Sequence, residues 1–264
     1  MSATNEPTTT TAEDDLALEE ALISKATTEK KSIIHEVMTF AMTCLGWSPL
    51  VIILSVSDKR IALTASAGAA LLSFCLSGIY YKMGGTKCWP KVIDISFLST
   101  FGLLTILAWT LPSKEAVADI AAFLDLFIFG GFALTIGVAW ACFKLPFALQ
   151  FAIDSVTEEE LSHPGIQYVI KKNTQMFLIG FTLMAGFGAA IGSLAITNNL
   201  TNTLKIVLMV LEFSILGIML TICNWLLPAY IFSEKGQTML ATVYADEIAE
   251  WNKAHPEHEW AQED

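Results

Sequence analysis

The sequence predicts an all-α, polytopic membrane bundle of about six transmembrane helices with acidic tails. Three observations carry this. Apolar residues gather into blocks of about 20, enough to cross a hydrocarbon core of about 30 Å. Only 16% of the 264 residues are charged, and 54% are hydrophobic. The blocks are also continuously apolar, without the alternation that a membrane-spanning barrel needs. In lipid an unpaired backbone polar group costs several kcal/mol, so spans of this composition must be helices.

Residues 1–31 read as a Thr-rich acidic tail, with seven acids in the first 29 residues. From Ala12 to Lys31 helix-favouring residues carry an imperfect apolar stripe, which fits a loose amphipathic segment rather than a domain. No apolar stretch of the signal-peptide kind opens the chain, so the first span is expected to direct insertion.

The membrane domain is expected over 32–232. Span 1 covers about Val37–Val56 and should kink near Gly46-Trp47-Ser48-Pro49, where Pro49 removes a helix hydrogen bond. Span 2, Ile61–Tyr80, is rich in small residues (Ala62, Ala65, Ser66, Gly68, Ala69, Ala70) suited to close helix contact. Lys82–Lys91 is a polar loop, span 3 follows at Val92–Leu111, and Pro112–Asp119 is read as a loop.

Span 4 is expected over Ile120–Phe143, with Ala133, Gly137 and Ala141 as a packing ridge. The helical pattern then continues to Ile153, too far for one perpendicular span. A bend is therefore expected at Lys144–Pro146, with Phe147–Ile153 along the membrane surface. Ser155-x-x-Glu158 and Thr157-x-x-Glu160 have capping-box spacing for a short helix, which Pro164-Gly165 should break. Span 5 is placed at Met176–Ile196, with Gly188-x-x-x-Gly192 inside it. Span 6 is placed at Ile206–Phe232, kinked at Pro228. Residues 233–264 form a second acidic tail with an amphipathic stretch at Met239–Trp251.

With six spans, the two tails and the second and fourth loops share one side, which holds 11 of the 15 lysines and arginines. Basic residues favour the cytosolic side, so both termini are expected there. The net charge of −11 and its concentration in the tails argue against nucleic acid as a partner. The partners implied are the lipid bilayer and proteins that meet the tails or helix faces, with homo-oligomers compatible. Of five cysteines, Cys44, Cys75, Cys142 and Cys223 lie in apolar runs, and Cys88 alone sits in a polar loop, as a free thiol or a lipidation site. No spacing resembles a zinc site or a disulfide framework. His255-Pro-Glu-His258 sits in the polar tail and reads as solvated rather than metal-binding. No cofactor is implied, and no nucleophile–base pair is placed, so enzymatic activity is not expected.

Two groups of candidate functional residues stand out. The first is the motif Lys144, Pro146, Phe147, Gln150 and Phe151. Lys144 is either a snorkelling lysine or a fixed cation for a phosphate or carboxylate; the Gln150 amide bonds either a neighbouring segment or a substrate. The second is the acids Asp125 and Glu212, which fall inside spans 4 and 6. Intramembrane acids are costly and are candidate ion or proton sites by default. Met219 and Cys223 share the helical face of Glu212, so that face should look inward, with Lys205 and Lys114 as possible partners. Asp94, near the end of span 3, is read as interfacial.

The motif, with Ser48-Pro49-Leu50, Trp89-Pro90-Lys91 and Asn173, resembles small bacterial multi-span membrane proteins that carry a basic residue, Pro-Phe and then Thr-Leu-Gln-Tyr-Ala. These resemble in turn the intracellular septation protein A family. The likeness spans about residues 45–230. Phe151 replaces the family's Tyr, Ala148 its Thr, and Gly180 stands where an interfacial Trp is expected. The resemblance implies an integral membrane protein linked to cell-envelope organisation or division, without an assigned reaction. The function expected is thus a non-enzymatic organising or assembly protein; the alternative is a small-solute or ion transporter using Asp125 and Glu212.

Overall fold

The structure is a computed structural model that describes Met38, Ser48, Pro49, residues 51–53 and residues 55–255. Two compact units divide the chain, Met1–Cys44 and Leu45–Asp264; all that follows concerns the second. Span 1 and the N-terminal segment lie largely outside the described residues, as do 256–264.

Among the described residues, five helices are long and apolar enough to cross a membrane. They are α1 (Lys59–Lys82), α2 (Val92–Thr110), α4 (Leu124–Phe143), α7 (Pro164–Ile196), and α8 (Asn202–Thr221) with its continuation to Ile231. Short helices connect them: α3 (Lys114–Ala122), α5 (Leu149–Ser155) and α6 (Glu158–Ser162). Two more follow the last span, α10 (Glu234–Val243) and α11 (Ala245–Ala254), with α9 (Leu227–Ile231) ending it. Among the described residues there is no strand.

The bundle is built on α4 against α7, flanked by α2 and α1 on one side and α8 on the other. A chain of phenylalanines threads it. Phe97 of α2 meets Phe132 of α4 edge-on at 4.9 Å, and Phe132 meets Phe181 of α7 at 5.1 Å. Phe177 continues the chain to Phe147 at 5.1 Å. The outward residues stay apolar: Leu103, Leu134, Ile179, Ile206 and Phe213 are all exposed. Such a surface is untenable in water at this extent and is what a helix bundle presents to hydrocarbon.

Small residues act where the sequence placed them. Ala62, Ser66 and Ala70 of α1 are buried four apart, and the Ser66 hydroxyl donates to the Pro49 carbonyl at 2.9 Å. A Cβ on Gly188 would stand 2.8 Å from the Asp125 Cβ, and one on Gly192 would meet the Phe123 ring. The Gly188-x-x-x-Gly192 pair is therefore what lets the start of α4 lie against α7. The Ala133–Gly137–Ala141 ridge is only partly used: Gly137 lies beside Leu178, but Ala141 is exposed. Gly180, where the resemblance expected a tryptophan, leaves room for the Met219 sulfur.

Four expectations are corrected. The Pro112–Asp119 loop is largely helical, because Ser113 caps α3 by accepting from the Ala116 N–H at 3.1 Å. Span 4 is not continuous from Ile120; it restarts after Phe123, so Asp125 falls in the first turn of α4. Ser155 ends α5 instead of capping a helix, while Thr157 and Glu160 do form the capping box. Pro164 starts a helix rather than breaking one. At the first helical position its missing N–H costs nothing, and α7 runs unbroken for 33 residues. At about 50 Å it is longer than a bilayer core is thick, so its length exceeds what one perpendicular span needs.

Candidate functional site

The motif lies where α4 ends. Lys144 takes the left-handed conformation (φ 55°) and the Leu145 N–H turns back to the Ala139 carbonyl at 3.1 Å, which makes the expected bend. Lys144 itself is exposed. The chain does not then run free along a surface. Phe147 turns inward against Phe151 and Phe177, and the Ala148 N–H donates to the Thr174 hydroxyl at 3.1 Å.

Gln150 is 1% exposed, and its Oε1 accepts from the Val92 N–H at 2.7 Å. The first N–H groups of a helix lack intrahelical partners, and Lys91, which precedes α2, has no side-chain acceptor to offer them. Gln150 supplies that cap from 58 residues away. Asp94 accepts from the Lys91 N–H at 3.3 Å and completes the helix start.

One turn on, Asp154 gathers the loop between α1 and α2. It pairs with Lys91 at 2.8 Å, accepts from the Lys87 N–H at 2.6 Å, and accepts from the Thr86 hydroxyl at 2.8 Å. The Lys91 ammonium also lies 4.9 Å over the Phe151 ring. Burial pushes the Asp154 carboxyl up, but the bonds from Lys91, Lys87 and Thr86 outweigh it and hold it below the ordinary carboxylate range. Burial pushes the neighbouring Cys88 thiol up, which leaves it protonated and poorly nucleophilic. The motif thus latches two connections together at one rim of the bundle. Asp154 and Thr86 are not among the functional candidates that the sequence marks, and Lys91 enters there only within Trp89-Pro90-Lys91. Their signal was present as Trp89-Pro90-Lys91 and as the acid that closes the apolar run.

A second polar tie joins α7 to the last span. A π-helical stretch, Ile222–Leu226, precedes Pro228. In that register the Leu227 N–H bonds the Ile222 carbonyl, and the next donor would be the N–H that proline lacks. The Cys223 carbonyl left over accepts instead from Asn173 Nδ2 at 3.3 Å. Asn173→Ala is expected to destabilise the bundle by about 1–3 kcal/mol, the cost of an unsatisfied buried acceptor. Adding Pro228→Ala restores a backbone donor and should recover part of that loss, as a double-mutant cycle on thermal stability in nanodiscs would show. Purely additive losses would disprove the substitution of one donor for the other.

The acids sit nearer the opposite rim, where Asp58 caps α1 and Arg60 donates to the Leu111 carbonyl at 2.6 Å. Lys114 is not their partner; it pairs with Asp58 at 3.5 Å. Glu212 is 6% exposed, its Oε1 has no hydrogen-bond partner, and Met219 and Cys223 are buried on the same stripe, as the helical spacing required. Asp125, on α4 against Gly188, is within electrostatic reach of Glu212 and of Lys205. Two carboxyl groups from separate spans thus lie within electrostatic reach of each other.

Compared with known proteins, the chain matches no family model, no curated protein and no solved structure. The site must be read from its own chemistry. Among the described residues no group of three His, Cys, Asp or Glu could hold a metal ion, and His258 lies outside them. A groove of about 480 Å³ lies between the start of α7 and α11, bordered by Tyr168, Lys171, Tyr244, Glu247 and Trp251. The described part of the C-terminal segment is thus a pair of helices, with Trp251 bonded to Ser162.

Proposed function

We propose that this integral membrane protein has a non-enzymatic organising or assembly role, exerted at the rim that carries the motif, with that rim and both tails in the cytosol. The observation that carries the reading is how the motif side chains are used. Gln150, Phe147, Phe151 and Asp154 bond and pack onto other connections of the same rim, so they build a fixed surface instead of lining a cavity. Docked C-terminal helices extend that surface. The resemblance to septation protein A points the same way, and the lysines at this rim (Lys82, Lys87, Lys91, Lys144, Lys171, Lys172) agree with a cytosolic face.

A second reading, transport of a proton or small cation, is favoured by one observation: the unpartnered carboxyl oxygen of Glu212, within electrostatic reach of Asp125. One comparison separates the two. On the assembly reading, protein extracted with its native lipids runs as a complex, truncation after Phe232 returns it to single chains, and Asp125→Asn with Glu212→Gln leaves the complex intact. A single-chain species whose proteoliposomes show a cation or proton flux, lost on Glu212→Gln, would transfer the conclusion to transport.

A further inference from the structure

The last two helices meet the membrane domain around one histidine, His163. Trp251 of α11 is 6% exposed, and its indole N–H donates to the Ser162 hydroxyl at 2.7 Å. One side of the indole stacks on His255 at 4.6 Å, and it meets the His163 ring edge-to-face at 4.8 Å. His163 is 8% exposed and caps α7: its Nδ1 accepts from the Gly165 N–H at 3.1 Å. A Cβ on Gly165 would press on both His163 and Leu240 of α10, so the same point anchors both C-terminal helices.

We propose that His163 and Trp251 form an acid-released clasp, which holds the C-terminal helices on the rim while His163 is neutral and frees them when it takes up a proton. The geometry makes the proton costly in three ways. Nδ1 must be bare to accept from Gly165, so protonation removes the cap and leaves two N–H donors facing each other. The cation would sit at the N-terminus of a 33-residue helix, the positive end of its dipole. It would also be enclosed by apolar and aromatic groups. The Trp251 ring offers an imidazolium some cation–π attraction, but this does not compensate for the lost cap, the dipole and the burial together.

Burial pushes His163 below its ordinary value of 6.5. The charged groups on the surrounding elements are Glu158, Glu159 and Glu160 on α6, Lys171 and Lys172 on α7, Glu234 and Lys235 on α10, and Asp246, Glu247, Glu250 and Lys253 on α11, with His255 at its end. The sign follows. Above about pH 6.5 both docked and released forms are neutral and docking is at full strength. As pH falls below that value the released form binds the proton first, and docking weakens until the docked histidine also titrates.

The test uses the full chain in nanodiscs of zwitterionic lipid. Backbone hydrogen exchange over Ala245–Ala254, corrected for the intrinsic pH dependence of exchange, should show protection falling roughly tenfold between about pH 7.5 and 5 and returning on neutralisation. His163→Gln keeps an acceptor for Gly165 but cannot titrate, and should leave protection flat with pH. Spin labels at Glu158→Cys and Lys253→Cys, with His163 intact, should move apart in acid and give a readout independent of that variant. Flat protection in the wild type, an unchanged label distance, or a fall in His163→Gln equal to that of the wild type would each overturn the clasp.

Discussion

Asp154→Ala is expected to destabilise the membrane domain by about 2–3 kcal/mol, because it removes the acceptor for three donors at once. The loss stays within that range because the pair with Lys91 is partly exposed, and solvent weakens such pairs. The donors come from one loop: the Thr86 hydroxyl, the Lys87 N–H and the Lys91 ammonium. Without Asp154, that loop loses its tie to the motif, and the Gln150 cap on α2 must hold the two connections alone. Asp154→Asn keeps an oxygen for Thr86 and Lys87 but loses the ion pair, so its loss should be smaller. The Asp154 carboxyl lies below its ordinary value of 3.8. Its contribution is therefore present above that value and disappears as pH falls through the lower, folded one. Thermal unfolding in nanodiscs at neutral pH checks the prediction; an Asp154→Ala protein as stable as wild type would remove the latch.

Gly188→Ala should have an effect of similar or greater size. A Cβ there would stand 2.4 Å from the Leu126 backbone nitrogen and 2.7 Å from the Asp125 carbonyl carbon. Backbone cannot swing aside as a side chain can, so α4 and α7 must separate along their most extensive contact. Overpacking of this kind costs about 1–3 kcal/mol, sometimes more, and here it also displaces Asp125 relative to Glu212. Neighbouring glycines supply the controls. Gly186→Ala meets nothing within 4 Å and should be neutral or slightly stabilising by helix propensity. Gly180→Ala presses on the end of the flexible Met219 side chain, and should cost less than Gly188→Ala. Equal stability of the Gly188→Ala and Gly186→Ala proteins would refute the close approach.

Several features were legible because they depend on local chemistry. Hydrocarbon demands continuous apolar helices, so the spans from Ile61 onward could be placed within a few residues, except where tertiary contacts moved their ends. The burial of Glu212 followed from helical spacing to Met219 and Cys223, and the bend after Phe143 followed from a proline and an excess of length. Gly188 and Gly192 marked a close contact without naming its partner.

What only the tertiary structure decided are contacts between residues far apart in the chain. Gln150 caps a helix that begins at Val92, Asp154 holds residues 86–91, Asn173 supplies the donor that Pro228 lacks, and Trp251 closes on Ser162 and His163. Sequence periodicity reports which face of an element is apolar, but a polar side chain's partner depends on where the backbone brings an unsatisfied N–H or carbonyl. Pro164 shows the same limit: a proline that breaks a helix from within also begins one, and the folded cap at His163 selects between the two.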